Sequence, residues 1–126
     1  MPALEPVGGV RVVATPAALD GAQWAGNDVD VLRIASDEAL GLGATAVELD
    51  DPDAIIEPED GFAVALLEPA DLEAIAAHTD WPLPAASREL AQGKIAGVPA
   101  KVLAGSPTLL VTNAAYADEL RRRLGW

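Results

Sequence analysis

Residues 90–126 constrain the fold of this chain more than any other stretch, because they spell out strand, turn, strand and closing helix in one run. Residues 94–103 are strand-like, with Gly97-Val98-Pro99 marking a bulge, an edge or a strand start. Residues 87–93 are expected to be a connector or a short turn. Ala104-Gly105-Ser106-Pro107 is turn chemistry, and Thr108-Leu109-Leu110-Val111-Thr112 is the returning strand, so the two strands form a predicted hairpin. Asn113 is a candidate N-cap, after which Tyr116, Ala117, Leu120 and Leu124 share one helical face. Asp118–Arg122 and Glu119–Arg123 are acid-to-base pairs four residues apart, each contributing about 0.2–0.5 kcal/mol. Arg121, Arg122 and Arg123 sit at the negative helix end, and Gly125 suits the residue that ends it.

Upstream the punctuation is denser. Residues 1–9 carry Pro and Gly and are expected to form a flexible N-terminal arm. Val10 to Ala14 make a short strand, residues 16–27 a loop or single helical turn, and residues 29–34 a second strand. Ser36-Asp37-Glu38 is expected to be a capped helical turn, followed by an interrupted strand over residues 39–49. Ile55 and Ile56 lie in a brief apolar segment before the acidic turn Glu57-Pro58-Glu59-Asp60-Gly61. Phe62-Ala63-Val64-Ala65-Leu66-Leu67 is apolar on both faces, which fits a central strand covered on both sides. Pro69 then opens a helix with Leu72, Ile75 and Ala76 on one face. The sum is an α+β fold over residues 1–126: one domain, a mainly antiparallel sheet with helices packed on it.

Composition narrows function by exclusion. The net charge is −12, from 20 acidic and 8 basic residues, which repels phosphate backbones and anionic headgroups. No nucleic-acid or membrane partner is therefore expected; the charge excess serves solubility, and of possible partners it favours a basic protein or cationic ligand. The absence of Cys removes disulfides, thiolate metal sites and Cys nucleophiles. No apolar run approaches the roughly 20 residues that span a bilayer, and the first residues lack a leader pattern, so a cytoplasmic location is expected.

Candidate chemistry is sparse. The one histidine, His78, has no Gly-x-Ser-x-Gly partner around Ser36, Ser87 or Ser106. Gly41-Leu42-Gly43-Ala44-Thr45-Ala46 matches a dinucleotide fingerprint in letters, but no helix pattern follows it. Asp50, Asp51 and Asp53, and Glu57, Glu59 and Asp60, lack calcium-loop spacing and are expected to be solvated loops. Glu57 and Asp60 also form a candidate carboxylate pair. No catalytic, cofactor-binding or metal-ligating residue is assigned, and the chain is not expected to be an enzyme. Trp81-Pro82-Leu83-Pro84 is either a docking motif or a plug over the core, and Trp126 is placed to pack on a neighbouring subunit. Trp81, Leu83 and Trp126 are thus the candidate interface residues, with a second copy or a different protein chain as partner.

Two segments carry a family likeness. Leu32-Arg33-Ile34-Ala35-Ser36-Asp37-Glu38, and Leu110-Val111-Thr112-Asn113-Ala114-Ala115-Tyr116-Ala117-Asp118-Glu119-Leu120, resemble core and closing segments of the sarcosine oxidase gamma-subunit family. That family is related in fold to the folate-binding T-protein of the glycine cleavage system. The chain departs from it at Ala39-Leu40, where the family commonly has Trp, and at Asn113-Ala114, where it tends to have Arg-Ser. The resemblance implies a cofactor-free, non-catalytic accessory subunit, and it carries over no folate-contacting residue. The alternative expectation is a small-molecule binding domain for a folate-like or amino-acid compound.

Overall fold

The computed structural model describes residues 2–126. Seven strands, β1 (Glu5–Val13), β2 (Gln23–Ala35), β3 (Glu38–Glu48), β4 (Ile55–Leu67), β5 (Leu90–Ile95), β6 (Val98–Leu103) and β7 (Thr108–Asn113), stand in the order β2-β3-β1-β4-β7-β6-β5. Three short helices accompany them: α1 (Pro16–Asp20), α2 (Pro69–Ala76) and α3 (Ala117–Leu124). The molecule is therefore dominated by antiparallel sheet. The chain divides into two compact units, Val7–Asp60 and Gly61–Trp126 with the residues up to Pro6, and β4 contributes residues to each.

In the unit Val7–Asp60, β3 pairs antiparallel with β1 and with β2. Ser36-Asp37 is the two-residue turn of the β2–β3 hairpin, not a helix start. Residues 39–42 of β3 are buried on both faces, so the alternation that marks a half-exposed strand is missing there. That is why one continuous strand looks interrupted in sequence. Arg33 fastens the turn: its guanidinium donates to the Ser36 carbonyl (3.0 and 3.3 Å), the Pro16 carbonyl (3.1 Å) and Asp20 Oδ1 (2.8 Å). Val10, Val12, Ala14, Ala18, Leu19, Ala39 and Ala44 form the core, with Trp24, Val29, Val31 and Val47 packed against it. The loose arm expected over residues 1–9 is corrected from Glu5 onward, where β1 begins and Gly9 pairs with Leu42; Met1 lies outside the described residues. Glycine and proline weaken a strand in isolation, but a neighbouring strand supplies the ladder that overrides propensity.

In the other unit, β7 lies between β4 and β6, and β5 pairs with β6. The predicted β6–β7 hairpin is present, with Leu103 opposite Leu109 and Ala100 opposite Thr112. Of the readings of Gly97-Val98-Pro99 the strand start holds, because β6 begins at Val98; residues 90–93, expected as connector or turn, belong to β5. Ala96 and Gly97 both adopt positive φ (50° and 81°), the pattern of a type I′ turn. An Ala at the first position hides that turn from a search for Asn-Gly. The core is Ala65, Leu67, Ile75, Ile95, Val98, Ala100, Val102, Leu110 and Leu120, so α2 contributes Ile75 and α3 contributes Leu120. Thr112, 2% exposed, satisfies its hydroxyl by donating to the Pro99 carbonyl at 2.9 Å.

The closing helix is built as its charges suggest, with two adjustments. Asn113 caps a 3-10 turn, Ala114–Tyr116, by accepting from the Ala115 N–H, and α3 itself begins behind Tyr116. Glu119 pairs with Arg123 and Arg122, while Asp118 pairs with Arg121 rather than with Arg122. Gly125 ends the helix in the left-handed region at φ 76°. Arg123 reaches back to donate to the Ala96 carbonyl at 2.7 Å, so α3 packs on the β5–β6 hairpin through Leu120 and closes its turn.

Candidate functional site

Two of the surface depressions among the described residues bring charged side chains together with histidine or exposed aliphatic residues. The first, in the unit Gly61–Trp126, is a groove of about 630 Å³ lined by Ala77, His78, Thr79, Asp80, Lys94, Ala96 and Gly97. It forms because α2 ends at Ala76 and the chain turns against the β5–β6 hairpin, where the Ala96 N–H donates to the His78 carbonyl at 2.9 Å. His78, Asp80 and Lys94 are all exposed. The Thr79 hydroxyl lies 3.3 Å from both the Ala76 and Trp81 carbonyls, which ties it to the chain turn. Ser36, Ser87 and Ser106 do not line this groove with the histidine. An open polar groove of this kind suits a charged small molecule held by complementary charges, and its volume falls within the range of about 300–1,000 Å³ usual for ligand sites.

The second depression, in the unit Val7–Asp60, holds about 210 Å³ between Arg11 and Val13 of β1 and Ile55 and Glu57 of β4. Residues two apart on a strand share a face, so each strand presents one aliphatic and one charged side chain here. Arg11 makes an ion pair with Glu38, and that contact raises the guanidinium pKa, with smaller contributions from Glu59 and Glu57. The surroundings are unusual for a strand. Ile55 is 55% exposed and Ile56 48% exposed, on opposite faces, and Glu57, Pro58 and Asp60 are exposed as well. A β-branched pair in a sheet normally buries at least one face.

The candidate interface residues Trp81, Leu83 and Trp126 are half-buried and pack against the core of their unit. Trp81 is held tightly. Its Nε1 donates to the Lys94 carbonyl at 2.8 Å, and its ring lies over Gly93, where a Cβ would come within 2.5 Å of Nε1. Lys94 and Pro99 form the pair next to the Ile95–Val98 pair that closes the turn, so the Lys94 carbonyl points away from β6 to the open edge of β5, where the indole meets it. Trp24 repeats the device in the other unit by lying over Gly41. That glycine belongs to the literal dinucleotide fingerprint, and the whole motif lies inside β3 with no helix after it.

The acidic residues divide by role. Asp51 accepts from the Thr15 N–H at 3.0 Å and the Asp53 N–H at 2.9 Å, which fastens the loop before β4 to the start of α1. Glu57 and Asp60, paired in the sequence reading, lie three apart on one strand and so on opposite faces. Among the described residues no group of three or more His, Asp or Glu side chains is placed to hold a metal ion, and no helix is long and apolar enough to cross a membrane.

Sequence reasoning missed the exposed Ile55-Ile56 pair. A signal was there: Pro58 two residues on cannot donate to a ladder, which marks incomplete coverage of this part of β4. No protein-family model matches the chain, and no curated protein matches it.

Proposed function

We propose that this protein is a non-catalytic interaction domain that works in association with another polypeptide, in the manner of an accessory subunit. The observation that carries the reading is the leading half of β4, where two adjacent isoleucines are about half exposed on opposite faces. Covering both would remove apolar surface worth roughly 1–2 kcal/mol from water at each residue. Single exposed aliphatic residues are ordinary on protein surfaces, but a β-branched pair on a strand open on both sides is an incomplete packing arrangement. The likeness to sarcosine oxidase gamma subunits points the same way, because those chains serve beside catalytic ones.

The test is solution mass combined with co-purification from the native host. A stoichiometric partner chain, or a mass well above the 12.9 kDa of one copy, is the expected result. A monomer that brings nothing down removes the reading.

A second reading has its own observation, the groove at His78, Asp80 and Lys94. Opposite charges on its walls suit a zwitterion such as an amino-acid compound, with Lys94 taking the carboxylate and Asp80 the ammonium group. A rise in melting temperature with such a compound, abolished in Lys94→Ala, supports it. An unchanged melting temperature across amino-acid and folate-like compounds removes it.

A further inference from the structure

The leading half of β4 and its neighbour on β1 have a chemistry that selects among partners. We infer that this surface docks a basic polypeptide segment carrying one aliphatic anchor flanked by Lys or Arg; this inference rests on the association proposed above. The anchor's place is the 210 Å³ depression between Val13 and Ile55, a space that suits one leucine- or methionine-sized side chain. Glu57 forms its rim, and Arg11, the one cation lining it, already pairs with Glu38. Ile56 points to the opposite face and takes no part in this contact.

Charge decides the occupant. The unit Val7–Asp60 contains twelve acidic residues against two arginines, a net charge of −10, while the remainder of the chain carries −2. A second copy docked face to face through β4 would set this excess against itself, which costs affinity, slows encounter and argues against a symmetric dimer at this face. A nucleic acid or an anionic membrane meets the same repulsion. A basic peptide gains on both counts: the field steers its approach, and Glu57 accepts from a Lys or Arg beside the anchor. The aliphatic anchor supplies affinity and the carboxylates supply selectivity.

The experiment uses the full chain, isotopically labelled, titrated with three synthetic peptides: Lys-Lys-Leu-Lys-Lys, Lys-Lys-Ser-Lys-Lys and Glu-Glu-Leu-Glu-Glu. The first is expected to bind saturably, with amide shifts concentrated on β1 and the leading half of β4. Binding should weaken about tenfold when ionic strength rises from roughly 0.03 to 0.3 M. Ile55→Ser and Glu57→Lys, both at exposed positions, should each raise the dissociation constant about tenfold while leaving the circular dichroism spectrum unchanged. The serine peptide should bind about tenfold more weakly than the leucine peptide, and the glutamate peptide should not bind.

Four results overturn the inference. The first is no saturable binding of the lysine-leucine peptide. The second is binding that ignores both substitutions or maps to other strands. The third is a wild-type dimer that Ile55→Ser dissociates, which would assign the face to a second copy. The fourth, a co-purifying chain retained undiminished by both variants, leaves the accessory role standing and removes this surface alone.

Discussion

Gly93→Ala tests the packing of Trp81 most directly. A methyl group at residue 93 would lie 2.5 Å from Trp81 Nε1, 2.6 Å from Cε2 and 3.1 Å from Cδ1. Ordinary contact begins near 3.4 Å, so the indole has to withdraw by about 1 Å. Overpacking of this kind costs about 1–3 kcal/mol. The same withdrawal stretches the 2.8 Å bond from Nε1 to the Lys94 carbonyl beyond hydrogen-bonding range, which costs a further ~0.5–1.5 kcal/mol. Against this, replacing glycine restricts the unfolded chain and returns about 0.4–1 kcal/mol. The net expectation is a loss of about 0.5–4 kcal/mol, centred near 2, read as a fall of roughly 1 M in the urea midpoint by far-ultraviolet circular dichroism. In a Trp81→Ala background the ring is gone, and Gly93→Ala should be neutral or stabilising by up to ~1 kcal/mol. The double-mutant cycle should therefore show a coupling of about 2–4 kcal/mol. Equal destabilisation in both backgrounds would refute the reasoning, because Gly93 would then be required for its backbone and not for the ring above it.

Other perturbations follow from single contacts. Arg33→Ala removes the guanidinium bonds to two carbonyls and one carboxylate, and should cost about 1–3 kcal/mol by urea denaturation, with Arg33→Lys recovering only part because one ammonium cannot span all three acceptors. Thr112→Val keeps the shape but leaves the Pro99 carbonyl without its hydroxyl donor, a loss of about 1–2 kcal/mol in the same assay. Asp51→Ala releases the backbone N–H groups of Thr15 and Asp53, and should speed amide hydrogen exchange at both residues severalfold while leaving β5–β7 protection unchanged.

How much of this was legible beforehand differs by region, for physical reasons. The β6–β7 hairpin and α3 are written in local chemistry: a Gly-Ser-Pro turn, β-branched runs, acids before arginines and a terminal glycine. The start of β1, the first residues of β2 and the continuity of β3 were not legible, although residues 29–34 and 39–49 read as strand. Glycines in β1 and β2 and the double-sided burial of residues 39–42 in β3 erase the two-residue period, and pairing with a neighbouring strand overrides it. The Ala96-Gly97 turn was hidden for a related reason, since the left-handed conformation of Ala96 is imposed by closure of the hairpin and supported by Arg123 from α3.

The candidate surface shows the same division. The sequence by itself determined the charge excess, the absence of cysteine chemistry and the adjacency of Ile55, Ile56 and Glu57. It also singled out Trp81, Leu83 and Trp126 as candidate interface residues, and left open a docking motif or a plug over the core for Trp81-Pro82-Leu83-Pro84. Tertiary structure alone decided which apolar residues find cover. Trp81 finds a glycine with no side chain to exclude it and the Lys94 carbonyl on the open edge of β5. Ile55 and Ile56 find no such cover and stay about half exposed. Hydrophobicity belongs to a residue, whereas exposure is set by what the rest of the chain places above it.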